Sequence, residues 1–167
     1  IVILTGTTED DLYEQAETVS SICDELGAVD TLMAESKEEQ AHILHVRSEV
    51  SMVYKPETAE ILDVTVPPAA VEEMMDKVDR LAEEYDTRIP MVAHAGDGNF
   101  HPYLMFDLKN RGLHKEVKRK IYARAVELGG VISGEHGIGL AKQPWIRQAL
   151  GDISMDTHHA IKQALDP

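Results

Sequence analysis

Met91-Val-Ala-His-Ala-Gly-Asp-Gly-Asn-Phe-His-Pro102 is the stretch on which the fold turns. An apolar run, Met91 to Ala93, meets Asp97-Gly98, a dipeptide suited to tight turns, and a second strand-like run follows at Tyr103-Leu-Met-Phe106. The pattern predicts a β-hairpin. A two- or four-residue loop centred on Asp97-Gly98 sets Gly96 against Asn99, Ala95 against Phe100 and His94 against His101. Directly opposed residues share one face, with Cβ atoms about 4.5–5.5 Å apart. The two imidazoles are therefore expected to converge.

Two convergent imidazoles hold a divalent transition metal when a third protein ligand joins them. The Gly-rich stretch Ser133-Gly-Glu-His-Gly-Ile-Gly139 offers Glu135 or His136 for that role. Gly134 and Gly137 in this stretch allow positive φ and close approach of backbone to a ligand. On spacing alone the plainer alternative, two surface histidines on an exposed hairpin, stays open.

Working outward, 167 residues suit one domain, 1–167, able to bury a real core. The net charge of −14 argues against nucleic acid or an anionic membrane surface as partner, since both reward Lys and Arg. The single cysteine, Cys23, excludes a disulfide framework and points to a reducing compartment. Neither a signal peptide nor a long apolar span is visible, so a cytoplasmic location is expected. The start at Ile1 without a Met suggests a piece of a longer chain.

Ile1 to Leu4 reads as a buried strand, and Thr7 or Thr8 as the N-cap of a helix bearing Leu12, Ala16, Val19, Cys23 and Leu26 up to Gly27. Ala28 to Ala34 is a weaker strand. Ser36-Lys-Glu-Glu39 is a capping box that opens a second helix. Within that helix Arg47 falls on or beside the apolar face, where it either snorkels over the core edge or grips a carboxylate through two parallel hydrogen bonds, with Ser51 one turn on. Glu60 to Val66 alternates like a strand, and Pro67-Pro68 opens a third helix with Val71, Met74, Met75, Val78, Leu81, Ala82 and Tyr85 as its stripe. Leu113, Val117, Ile121, Ala125 and Leu128 mark a fourth helix ended by Gly129-Gly130, and two closing helices follow at 144–150 and 155–165. Strands interleaved with helices, one antiparallel hairpin and no Gly-rich nucleotide fingerprint favour an α+β fold, an antiparallel sheet with helices packed on one face.

His94-Ala-Gly-Asp-Gly-Asn-Phe-His-Pro102, followed by Gly129-Gly-Val-Ile-Ser-Gly-Glu-His-Gly-Ile-Gly139, resembles the C-terminal domain of FAD-linked oxidases of the vanillyl-alcohol oxidase type. That group includes the glycolate oxidase flavin subunit, D-lactate dehydrogenases and D-2-hydroxyglutarate dehydrogenase. The resemblance covers nearly the whole chain and implies a ferredoxin-like arrangement. It also implies that FAD is held mainly by a separate N-terminal domain, to which nothing in this sequence is similar, so that this chain is the substrate-binding cap and inactive alone. The implied reaction oxidises a small 2-hydroxy acid to a 2-oxo acid with hydride transfer to FAD. In the implied site His94, His101 and Glu135 hold a divalent metal (Zn, Mn or Fe), His136 is the catalytic base, and Arg47 with Ser51 binds the substrate carboxylate. Asp97 and Asn99 would orient the ligands, although turn formation explains them as well. An iron–sulfur subunit or an electron-transfer flavoprotein is the implied electron acceptor, and such subunits could bring membrane association.

Two departures bear on the substrate. In the D-2-hydroxyglutarate relatives an Asn stands two residues after the second His, where this chain has Tyr103, and a Lys stands where this chain has Ile61. A small monocarboxylate of the glycolate or D-lactate kind is therefore expected. Two readings from other classes remain beside it: a metal-dependent hydrolase, and a non-catalytic α+β interaction module.

Overall fold

The computed structural model describes all residues, 1–167. The chain divides into two compact units, Ile1–Val50 and Ser51–Pro167.

In the first unit, α1 (Glu9–Glu25) begins where Thr8 Oγ1 accepts from the Asp11 amide at 3.1 Å. Helix α2 (Lys37–Tyr54), whose residues from Ser51 on belong to the second unit, begins at the expected capping box: the Glu39 amide donates to Ser36 Oγ at 3.2 Å and the Ser36 amide donates to Glu39 Oε2 at 3.0 Å. Two strand expectations fail here. Neither Ile1–Leu4 nor Ala28–Ala34 joins a ladder, and Ile1, Val2 and Ile3 are exposed. An apolar run becomes a strand only when a neighbouring backbone takes up its hydrogen bonds, and neither segment has one.

The second unit is an antiparallel sheet with helices packed on one face. Its strands are β1 (Thr58–Ile61), β2 (Val64–Thr65), β3 (Met91–His94) and β4 (Asn99–Met105). β4 is central. β1 and β2 lie end to end along one side of it in a single register, with Ile61 opposite Tyr103, Val64 opposite Phe100 and Thr65 opposite Asn99. They are interrupted at Leu62-Asp63 because Pro102 accepts the Leu62 amide at 2.9 Å but, lacking an N–H, returns no bond. β3 pairs with the other side of β4.

The hairpin register differs from the expected one by two residues. His94 faces Asn99 and Val92 faces His101. The loop is Ala95 to Gly98, a 3-10 turn closed by the Gly98 amide on the Ala95 carbonyl at 3.1 Å, so Asp97-Gly98 fills its second half rather than its centre. Gly98 ends the turn at φ +67°, and a Cβ there would stand 2.0 Å from the Val66 carbonyl oxygen. Only glycine fits.

Alternation along these strands separates two faces. Leu62, Val64, Val66, Phe100 and Leu104 point into a core closed by α3 (Val71–Glu84) through Met74, Val78 and Leu81, and by α5 (His114–Glu127) through Val117, Ile121 and Ala125. A short α4 (Phe106–Asn110), α6 (Gly139–Lys142) and α7 (Ile146–Leu165) complete the unit, and Gly151 breaks α7 where the sequence separates two closing helices. The opposite face carries Asp63, Thr65, Asn99, His101 and Tyr103, together with His94. Because Leu104 is fully buried at the centre of the sheet, Leu104→Ala is expected to cost about 2–5 kcal/mol in thermal or denaturant unfolding. A loss under about 1 kcal/mol would contradict the placement of the core.

Candidate active site

Strand pairing assembles the site side by side. Asn99 and His101 are two apart on β4 and so share a face; His94, opposite Asn99, is the diagonal neighbour of His101 on β3. Diagonal Cα separations of about 7–8 Å lie within reach of aromatic side chains. The two rings do meet, edge to face, with centroids 5.6 Å apart. The convergence expected from the sequence is thus present, through a different register.

After α5 the chain returns beside β2. The Gly130 amide closes on Ala125 O, and Val131 forms an antiparallel bridge with Thr65 through bonds of 2.8 and 3.0 Å. Extending that bridge by one step in each direction along the site face brings Ser133 opposite Asp63, and Ser133 Oγ donates to Asp63 Oδ2 at 3.0 Å. Gly134 then packs so closely that a Cβ would stand 2.3 Å from Thr65 Oγ1. The turn that follows places Glu135 and His136 against the histidines. Glu135 Oε1 lies 3.0 Å from His101 Nε2, 3.6 Å from His94 Nε2 and 3.7 Å from His136 Nε2, and the His136 ring stacks on that of His101 at 4.8 Å between centroids.

Asp63 anchors this segment and was not singled out from the sequence. Fully buried, it accepts from the amides of Gly134 (3.1 Å), Glu135 (3.2 Å) and His136 (2.8 Å), from Ser133 Oγ and from Lys142 Nζ (3.0 Å). Burial alone raises its carboxyl, but the His136 amide, the Lys142 ammonium and the Gly134 amide outweigh that effect and hold it well below the usual carboxylate range. Its sequence signal was weak: a lone acid between Leu62 and Val64 in a strand that otherwise reads as core.

Two sets of three side chains each bring their donor atoms within 4.8 Å of one another: His94, His101 and Glu135, and Asp63, His101 and His136. Asp63 is already occupied by five donors, so the first group is the freer one. Its nitrogen and carboxylate donors suit Zn, Mn or Fe. Burial, reinforced by the charge of His136, lowers His101 below the usual histidine range against the pull of Asp63 and Glu135. A neutral ring leaves a lone pair for a metal. His101 is nearly buried, whereas His94, Glu135 and His136 are open to solvent on one side.

The remaining expected residues fall as follows. Asn99 is buried and its Oδ1 accepts from Thr65 Oγ1 at 3.2 Å. Asp97 is exposed in the 3-10 turn, so turn formation accounts for it. Gly137 takes φ +74°. Ser51 is partly buried near the phenol of Tyr103; burial pushes that phenol up and Ser51 opposes the rise. Arg47 is exposed on α2 in the first unit.

With this geometry in place, comparison with known proteins becomes specific. The model of the family "FAD linked oxidases, C-terminal domain" matches residues 1–167. The chain belongs to this family. Among its relatives, a D-lactate dehydrogenase of Archaeoglobus fulgidus is 35% identical, the match covering 93% of this chain and 35% of that protein. The glycolate oxidase subunit GlcD of Bacillus subtilis is 35% identical over 90% of this chain and 33% of that protein, and GlcD of Escherichia coli K12 is 34% identical over 95% and 33%. This FAD-linked oxidase domain therefore spans about a third of the curated relatives it matches. No helix in it is long and apolar enough to cross a membrane.

The depressed Asp63 carboxyl gives a pH prediction. Its stabilisation is fully present above the unfolded carboxyl value, about pH 4, and is lost as pH falls through the lower folded value. The thermal midpoint of the wild-type domain should therefore fall more steeply below about pH 4 than that of Asp63→Asn. Parallel profiles would show that Asp63 is not held in this way.

Proposed function

We propose that this chain is the substrate-binding part of a flavin-dependent 2-hydroxy-acid dehydrogenase or oxidase of the glycolate or D-lactate type. The observation that carries the reading is the convergence of His94, His101, Glu135 and His136 on one open sheet face, in a chain whose relatives include a D-lactate dehydrogenase and glycolate oxidase subunits. Family membership favours this reading over the hydrolase and interaction-module alternatives.

Oxidation of a 2-hydroxy acid removes a proton from the hydroxyl and a hydride from C2. FAD, bound mainly by the part of the enzyme outside this chain, would accept the hydride. His94 Nε2, His101 Nε2 and Glu135 Oε1 would hold a divalent ion, which when bound supplies Lewis acidity that lowers the hydroxyl pKa. His136 is the base. Its ring is about half exposed, stacked on His101 and free to face a ligand, so a ring nitrogen can take the hydroxyl proton. Arg47 orients the carboxylate through a bidentate grip that fixes where C2 points. Tyr103, buried two residues beyond His101 on the same face and backed by the Tyr54 ring at 6.0 Å, offers bulk rather than a charge to the substrate's far end. That supports a small monocarboxylate. An iron–sulfur subunit or electron-transfer flavoprotein would take electrons from the flavin.

In the full-length enzyme, His136→Ala is expected to lower kcat on D-lactate or glycolate by about 10²–10⁴-fold. Unchanged kcat would remove His136 as the base. Arg47→Lys should mainly raise KM, by about tenfold, the loss of one charge-assisted hydrogen bond of roughly 1.5 kcal/mol. An unchanged KM would return Arg47 to a surface role.

A further inference from the structure

We propose that Asp63 is a positioning residue of this site, its buried carboxylate clamping the Ser133–His136 segment so that Glu135 and His136 stand beside His101, with Lys142 balancing the charge. The inference rests on the roles given above to His101, Glu135 and His136.

Glu135 and His136 sit on a Gly-rich segment between Ile132 and α6, outside any helix or strand that could fix their direction. What fixes it is a single carboxylate. Three consecutive amides, Gly134, Glu135 and His136, point at Asp63, and such a run of N–H groups is a backbone nest for an anion. Ser133 Oγ and Lys142 Nζ complete the set, and these two also bond each other at 3.0 Å. Because Asp63 belongs to the strand stretch paired with β4, the clamp ties the loop to the strand that carries His101. Asp63 Oδ1 also lies 4.0 Å from His101 Nδ1, a buried nitrogen with no hydrogen-bond partner. Lys142 is buried as well, so removing Asp63 alone strands an ammonium in the interior. Asp63 and Lys142 act as a unit.

Amide exchange by NMR and zinc calorimetry on this chain test the clamp together. In the wild type the Glu135 and His136 amides should exchange at least about 100-fold more slowly than that of Gly137. Unprotected amides would overturn the proposal without any substitution. In Asp63→Asn that protection should fall by about tenfold or more and the zinc Kd should rise by about 10–100-fold, while the Ile121 amide in α5 stays protected. The charge-neutral double variant Asp63→Asn/Lys142→Met should regain thermal stability without regaining zinc affinity or loop protection, a split that a merely structural role would not give. Wild-type affinity and protection in either variant would refute the clamp. If the wild-type chain takes up no zinc, the metal assignment fails by itself and exchange at Glu135 and His136 still decides the clamp.

Discussion

One buried carboxylate sets the terms for everything on the open face of the sheet. Asp63 cannot be buried unless its charge is met, and it is met by three backbone amides, one hydroxyl and one ammonium. All five donors come from residues 133 to 142, which pass over the sheet only because Val131 bridges to Thr65. Strand pairing, loop path and charge balance are therefore a single constraint. Glu135 and His136 inherit their positions from it.

The helical face obeys a different physics. There the sheet buries Leu62, Val64, Phe100 and Leu104 against α3 and α5, an apolar contact that is tolerant of detail. The separation of roles follows from the two-residue period of a strand: Asp63, Thr65, Asn99, His101 and Tyr103 carry polar chemistry on one face while Leu62, Val64, Phe100 and Leu104 carry the core on the other. Pro102 stands at the seam. It lies between His101 and Tyr103, and by breaking the ladder opposite Leu62 it divides β1 from β2 just where Asp63 turns its side chain to the site.

Much of this was legible in the residues. Apolar periodicity marked α3 and α5, the capping box marked α2, and the hairpin with its two histidines followed from Met91 to Pro102. The register did not follow, because Asp-Gly suits the centre of a two-residue turn and also the end of a four-residue one, and only the carbonyl of Val66 pressing on Gly98 distinguishes them. Ile1 to Leu4 has strand composition but no ladder partner, a fact that composition does not contain. Asp63 and Lys142 were missed for a similar reason: they are 79 residues apart in sequence, and neither alone reveals its partner. The family resemblance supplied roles for the histidines, and the geometry supplies what orients them.

Elemental analysis of this chain purified without chelator, beside the same measurement on His94→Ala, bears most directly on the chemistry assigned to the site. Close to one equivalent of zinc, manganese or iron in the wild type, lost in His94→Ala, is the result expected of a site with His94, His101 and Glu135 as its ligands. Metal retained in full by His94→Ala, or a wild-type chain that takes up none, would contradict it.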